Sequence, residues 1–273
     1  LFRSLEEAKK NANQTIRNLS NLNNAQKDAE KNLVNSASTL EQVQQNLQTA
    51  QQLDNAMGEL RQSIAKKDQV KADSKYLNED PQIKQNYDDA VQRVETIINE
   101  TQNPELLKAN IDQATQSVQN AEQALHGAEK LNQDKQTSST ELDGLTDLTD
   151  AQREKLREQI NTSNSRDDIK QKIEQAKALN DAMKKLKEQV AQKDGVHANS
   201  DYTNEDSAQK DAYNNALKQA EDIINNSSNP NLNAQDITNA LNNIKQAQDN
   251  LHGAQKLQQD KNTTNQAIRS EEH

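Results

Sequence analysis

The chain has 273 residues, 31% of them hydrophobic and 2% aromatic, with a net charge of −10 and no cysteine. That composition speaks against one large globule with a deep core. Five Gly and three Pro speak against an all-β fold or a flexible linker. The acidic balance speaks against nucleic-acid binding and docking on anionic lipid, the lack of cysteine excludes disulfide and thiolate chemistry, and no stretch approaches the roughly 18 apolar residues of a membrane span.

Apolar residues fall at helical spacing nearly throughout. Leu5, Ala8, Ala12, Ile16 and Leu19 predict a first helix, and Asn23-Asn24-Ala25 starts a second that ends near Asn35. Ser38-Thr39-Leu40-Glu41 has the form of a capping box. Val43, Leu47, Ala50, Leu53, Met57, Leu60 and Ile64 follow at steps of three and four, so the spacing predicts one helix over 38–68. A polar segment over 71–78 comes next, with Asn78 or Asp80 as N-cap. Ile83, Tyr87, Val91, Val94 and Ile98 predict a helix over 80–101. Asn103-Pro104 predicts a restart with Pro in the first helical position, where its missing N–H costs nothing. The stripe Leu107, Ile111, Ala114, Val118, Ala121, Leu125, Ala128 and Leu131 then runs through Gly127. The expectation there is a glycine inside a helix, at a cost of about 1 kcal/mol against Ala.

At this point the pattern returns, offset by 126 residues and without insertion or deletion. Leu125-His126-Gly127-Ala128 recurs as Leu251-His252-Gly253-Ala254, Asn78-Glu79-Asp80 as Asn204-Glu205-Asp206, and Asn103-Pro104 as Asn229-Pro230. A period this long predicts an array of copies. In the second copy, helices over 131–142 and 151–161 flank a loop around Gly144-Leu145-Thr146-Asp147. The long stripe recurs as Ile169, Ile173, Ala176, Leu179, Met183, Leu186 and Val190. The expected fold is all-α: tandem three-helix bundles of two sizes, joined by shared long helices into a stiff elongated rod on the order of 100 Å or more. Residues 254–273 begin a third copy, so the chain reads as a piece of a longer array.

Motifs for chemistry are lacking. His126 and His252 are equivalent, but none of His126, His197, His252 and His273 has a second His four residues away, and there is no cysteine. Carboxylate pairs such as Asp88-Asp89 and Asp167-Asp168 read as solvated helix faces. The expectation is a monomeric non-enzyme with no cofactor, no metal and no catalytic residue. Tyr87 and Tyr213 sit on apolar stripes and read as core. The candidate ligand-contact residues are Tyr76, Asn78 and Glu79, followed by Asp80, and their repeats Tyr202, Asn204 and Glu205, followed by Asp206.

Residues 51–127 and 177–253 resemble the FIVAR module. The resemblance rests on Leu53-x-x-Ala56-Met57, Tyr76, Tyr87-x-x-Ala90, Ile97-Ile98, Asn103-Pro104 and Ala121-x-x-x-Leu125, with the same positions in the second copy. Residues 1–50 and 128–176 resemble the GA module, through Leu5-x-x-Ala8-Lys9, Leu19-x-x-Leu22-Asn23-x-Ala25-Gln26 and the helix from Leu40. Their alternation is similar to the repeat region of the giant staphylococcal extracellular-matrix-binding surface proteins. The resemblance implies a helical rod on the bacterial cell surface, extracellular repeats of an envelope-anchored parent, and an association with fibronectin or another matrix protein. Albumin binding does not carry over: albumin-binding GA modules use aromatics around their second helix, and residues 22–34 and 148–160 have none. Three roles stay open: a spacer rod, an array of weak adhesive units acting by avidity, and an intracellular spectrin-like scaffold.

Overall fold

The computed structural model describes residues 2–273, in which there are helices, turns and no strand. The chain divides into two compact units, Leu1–Leu131 and Asn132–His273.

In the first unit, α1 (Phe2–Arg17), α2 (Asn24–Asn35) and the first half of α3 (Leu40–Ser63) form a small bundle around Ala12, Ile16, Val34, Ala37, Val43 and Ala50. A reciprocal capping box starts α2: the Asn23 side chain accepts the Gln26 N–H at 2.8 Å, and the Gln26 side chain accepts the Asn23 N–H at 2.9 Å. The cap of α3 lies one residue later than expected. Thr39, not Ser38, is the cap and takes the Gln42 N–H at 3.1 Å, while Gln42 rather than Glu41 turns back to the Ser38 N–H.

The second half of α3 belongs to a larger bundle with α6 (Pro81–Asn99) and α7 (Lys108–Gln123), after the short helices α4 (Lys67–Ala72) and α5 (Ser74–Leu77). Leu53, Met57, Leu60, Tyr87, Val94, Ile111 and Val118 are almost wholly buried there. One long helix therefore serves two cores. Asp54 marks the handover, accepting the N–H groups of Asn21 at 2.8 Å and Leu22 at 3.1 Å.

Three boundaries differ from those the spacing predicts. First, α3 ends at Ser63 instead of running to 68. Val70 is buried with Leu60, and on a straight helix the two would point about 80° apart; the turn over 64–66 brings both to one seam. Second, α7 starts at Lys108 and not at Asn103-Pro104. The Glu100 carboxylate gathers the N–H groups of Thr101, Gln102 and Asn103, and the buried Gln26 holds the Glu105 carbonyl at 2.8 Å, so the segment docks on α2 as a loop. Third, no helix runs through Gly127. α7 stops at Gln123, and α8 (Gly127–Gly144) starts afresh.

The second unit repeats the plan. From residue 132 onward, α8 packs with α9 (Asp150–Thr162) and the first half of α10 (Arg166–Val190), tied by Arg166 to Asp134 at 2.7 Å and Lys177 to Glu141 at 3.0 Å. The second half of α10 joins α13 (Ser207–Asn225) and α14 (Ala234–Asp249), after the short α11 (Lys193–Ala198) and α12 (Ser200–Thr203). Leu179, Met183, Leu186, Tyr213, Ile237 and Ile244 fill that core. Asn180 stands where Asp54 does and accepts the N–H groups of Asp147 and Leu148. α15 (Gly253–Glu271) follows and is exposed beyond its first turns.

Among the buried positions at which the two small bundles differ, one carries a carboxyl. Glu30 on α2 is 1% exposed, and its Oε2 finds no hydrogen-bond partner among the described residues; the second copy has Leu156 there. Burial pushes the Glu30 carboxyl above the ordinary value of 4.5. The sign follows from linkage. Below that value Glu30 is neutral in both states and costs nothing. As pH rises through it, the unfolded chain ionises more readily than the folded one, and stability falls until the folded group has also ionised. Glu30→Leu is therefore expected to stabilise the first unit by about 1–3 kcal/mol at neutral pH. Near pH 3 the gain should be smaller. Denaturant melts of both proteins across that range check this.

Candidate functional site at the bundle exit

The sequence candidates do come together, at the point where α8 or α15 leaves the larger bundle. Asn78 and Glu79 follow α5 and are 6% and 5% exposed. Glu79 Oε1 accepts the Asp80 N–H at 2.8 Å and an ion pair from Lys130, while Oε2 accepts the His126 N–H at 2.5 Å. Lys130 also reaches Asp80, at 2.6 Å. The second copy reproduces every contact. Glu205 accepts the N–H groups of Asp206 at 2.8 Å and His252 at 2.5 Å, and Lys256 pairs with both Glu205 and Asp206.

A carboxylate from a distant segment thus holds the start of a helix, where exposed N–H groups and the helix dipole favour negative charge. For Glu79, burial opposes ionisation, but the Lys130 ammonium and the N–H groups of Asp80 and His126 outweigh it and bring the carboxyl below its ordinary range. For Glu205, Lys256 and the N–H groups of His252 and Asp206 lower it to about 2. A carboxylate held this firmly ionised is suited to holding charge, and unsuited to passing a proton near neutral pH.

Tyr76 packs edge-on against Tyr87 at 6.1 Å, and its hydroxyl donates to Asp88 at 2.9 Å. Tyr202 packs against Tyr213 with the same geometry, and its hydroxyl accepts from Asn214 at 2.9 Å. Asn78 donates to Ser74 at 3.0 Å and Asn204 to Ser200 at 2.9 Å. Tyr76, in the stretch that reads as a polar segment over 71–78, lies on the short helix α5, and the six candidate side chains all have partners within the chain.

Sequence reasoning missed two members of this site. Gly127 is there because the helix start presses on the preceding backbone: a Cβ would lie 2.5 Å from the Glu79 nitrogen and 2.6 Å from the Lys75 oxygen. At Gly253 it would lie 2.6 Å from the Asp201 oxygen. Lys130 and Lys256 supply the cation. The signal was present, since both glycines and both lysines recur at the 126-residue offset. The histidines between them matter here through their backbone N–H.

The FIVAR domain model matches residues 56–126 and 182–252, and the GA module model matches residues 3–56 and 128–182. The chain belongs to the family of proteins built from GA and FIVAR modules. The Glu79–His126–Lys130 clamp lies where the first FIVAR match ends and the second GA match begins. The repeats are 44% identical over 257 residues to the extracellular matrix-binding protein EbhA of Staphylococcus aureus strain Newman, covering 94% of this chain and 7% of that protein. They are 45% identical over 264 residues to the extracellular matrix-binding protein ebh of strain NCTC 8325 / PS 47, covering 97% of this chain and 3% of that protein. The chain thus spans a small part of the curated relatives it matches. The crystal structure of the EbhA 756–1003 domain from S. aureus aligns with a TM-score of 0.69 at 31% identity, covering 78% of this chain and 84% of that one.

Proposed function

We propose that the chain is a monomeric, non-catalytic segment of a matrix-binding protein on the bacterial cell surface, and that its GA and FIVAR modules act as a stiff spacer that supports adhesion by other parts of the parent. The modules divide as 1–50, 51–127, 128–176 and 177–253, with a third copy from 254. The observation that carries this reading is the repeated clamp. Two glutamates, 126 residues apart, each tie the start of a helix to the bundle before it, through buried carboxylates and a lysine ion pair. Such a contact fixes the direction in which the helix leaves. Support for the surface location comes from the relatives, which are named extracellular matrix-binding proteins.

The second reading makes each copy an adhesive unit through Tyr76, Asn78 and Glu79 and their repeats. Repetition of the patch favours it; engagement of the same side chains in the clamp and in Tyr76–Asp88 weighs against it. Binding of the purified chain to immobilised fibronectin, with albumin alongside, at physiological salt separates the two. The spacer reading predicts no saturable binding of either at micromolar concentration. Saturable fibronectin binding would overturn it and send mutagenesis to Tyr76 and Tyr202.

A further inference from the structure

Two of the chain's five glycines follow an aspartate, Gly144 after Asp143 and Gly195 after Asp194, and both lie in the second copy. The backbone nitrogen that follows an aspartate closes a five-membered ring when it attacks the side-chain carboxyl. A glycine leaves that approach open, because it has no Cβ to shield its nitrogen. A regular helix blocks the attack. It holds the carboxyl away from the next nitrogen, and it ties that N–H to a carbonyl one turn back. The outcome turns on whether the fold pins the carboxyl and the N–H.

At Asp143-Gly144 both are pinned. Gly144 is the last residue of the 18-residue α8, where N–H groups still bond to the preceding turn. The Asp143 carboxylate pairs with Arg157 on α9 at 2.5 Å. At Asp194-Gly195 neither is pinned. α11 has six residues, and its cap Gln192 makes no side-chain hydrogen bond. Gly195 is its third residue. Its first backbone bond runs from the Val196 N–H to the Gln192 carbonyl at 3.1 Å, one residue too late to hold the Gly195 N–H. Among the described residues no hydrogen bond or ion pair fixes the Asp194 carboxylate, and the neighbouring Lys193 is taken by Glu221 at 2.7 Å. Asp194 and Gly195 are both exposed, and a Cβ on Gly195 would meet nothing within 4 Å.

We infer that Asp194-Gly195 is a site of spontaneous isoaspartate formation, and that the fold protects Asp143-Gly144 from the same reaction. The Gly195 nitrogen attacks Cγ of the protonated Asp194 carboxyl. A C–N bond forms, and the hydroxyl leaves as water with the amide hydrogen, giving a succinimide. Water then opens the ring. Opening at Cγ restores aspartate. Opening at the backbone carbonyl leaves the chain running through the side chain, with a free carboxylate on Cα. The product carries one extra backbone atom, so α11 cannot continue through it as a helix. The break falls beside the Lys193–Glu221 pair that ties α11 to α13. In the first copy the same place on α4 holds Asp68 followed by Gln69, whose side chain shields its nitrogen.

The test is to age the whole 273-residue chain at neutral pH for weeks, digest it, and separate the peptides by liquid chromatography with mass spectrometry. Isomerisation shifts retention and leaves the mass unchanged, which distinguishes it from deamidation of asparagine. Isoaspartate is expected at Asp194 in at least about tenfold excess over Asp143, the factor for one further hydrogen bond that must open. Asp68 should stay unmodified. In denaturant Asp143 and Asp194 should age alike, because the protection of Asp143 belongs to the fold. Gly195→Gln, the residue of the first copy, should end the reaction at Asp194, and Gln69→Gly should start it at Asp68. No isomer at Asp194, equal accumulation at Asp143 in the folded chain, a difference that persists in denaturant, or indifference to either substitution would each overturn the inference.

Discussion

Leu60→Asp is expected to unfold the first FIVAR module and to take the first GA module with it. Leu60 is wholly buried on the second half of α3, in one cluster with Met57 of the same helix and Tyr87 and Val94 of α6. Truncating a buried leucine already costs about 2–5 kcal/mol, and an unpaired carboxylate in the seam adds a desolvation penalty on top. The sum is comparable to the whole stability of a small domain. Because α3 also closes the small bundle through Val43 and Ala50, both cores of the first unit lose a wall at once. A circular dichroism melt should show about half the helical signal lost at low temperature, with the second unit melting as before. An unchanged melt would contradict the placement of Leu60 in a seam.

Gly127→Ala separates two readings by the sign of its effect. A glycine in the interior of an exposed helix gains about 1 kcal/mol on becoming alanine. At the clamp the new Cβ meets backbone atoms at 2.5–2.6 Å, which cannot rotate away, so the helix start must back off from Glu79. The expected result is a loss of about 1–3 kcal/mol, together with faster hydrogen exchange at the His126 N–H, the proton that Glu79 holds. Gly253→Ala should behave alike. Stabilisation by either would show that the close approach is not a native contact.

How much was legible in the sequence follows from the kind of signal each feature leaves. The long stripes were readable because Leu, Ile, Val and Ala at steps of three and four have few other uses, and Asn23, standing two residues before Ala25, was readable as a helix start. Tyr87 and Tyr213 were placed in the core for the same reason, and both are fully buried. The failures have one cause: tertiary contacts override local signals. Ile64 continues the α3 stripe, yet the helix stops so that Val70 can enter the same seam. Asn103-Pro104 has the form of a helix start, but Glu100 and Gln26 take the backbone groups that a helix would have used. Gly127 carries no local turn signal, because what it accommodates is the backbone of residues 75–79. At the candidate site the repeated block around Tyr76 and Glu79 was visible, while its purpose was not. Period alone cannot tell a patch kept for a partner from one kept for Gly127 and Lys130.

The central claim is stiffness across the modules, and small-angle X-ray scattering of the purified chain tests it most directly. A spacer of clamped bundles predicts a maximum dimension on the order of 100 Å or more, unchanged between low and physiological salt. A radius of gyration close to about 19 Å, that of a globular protein of this length, would contradict the account.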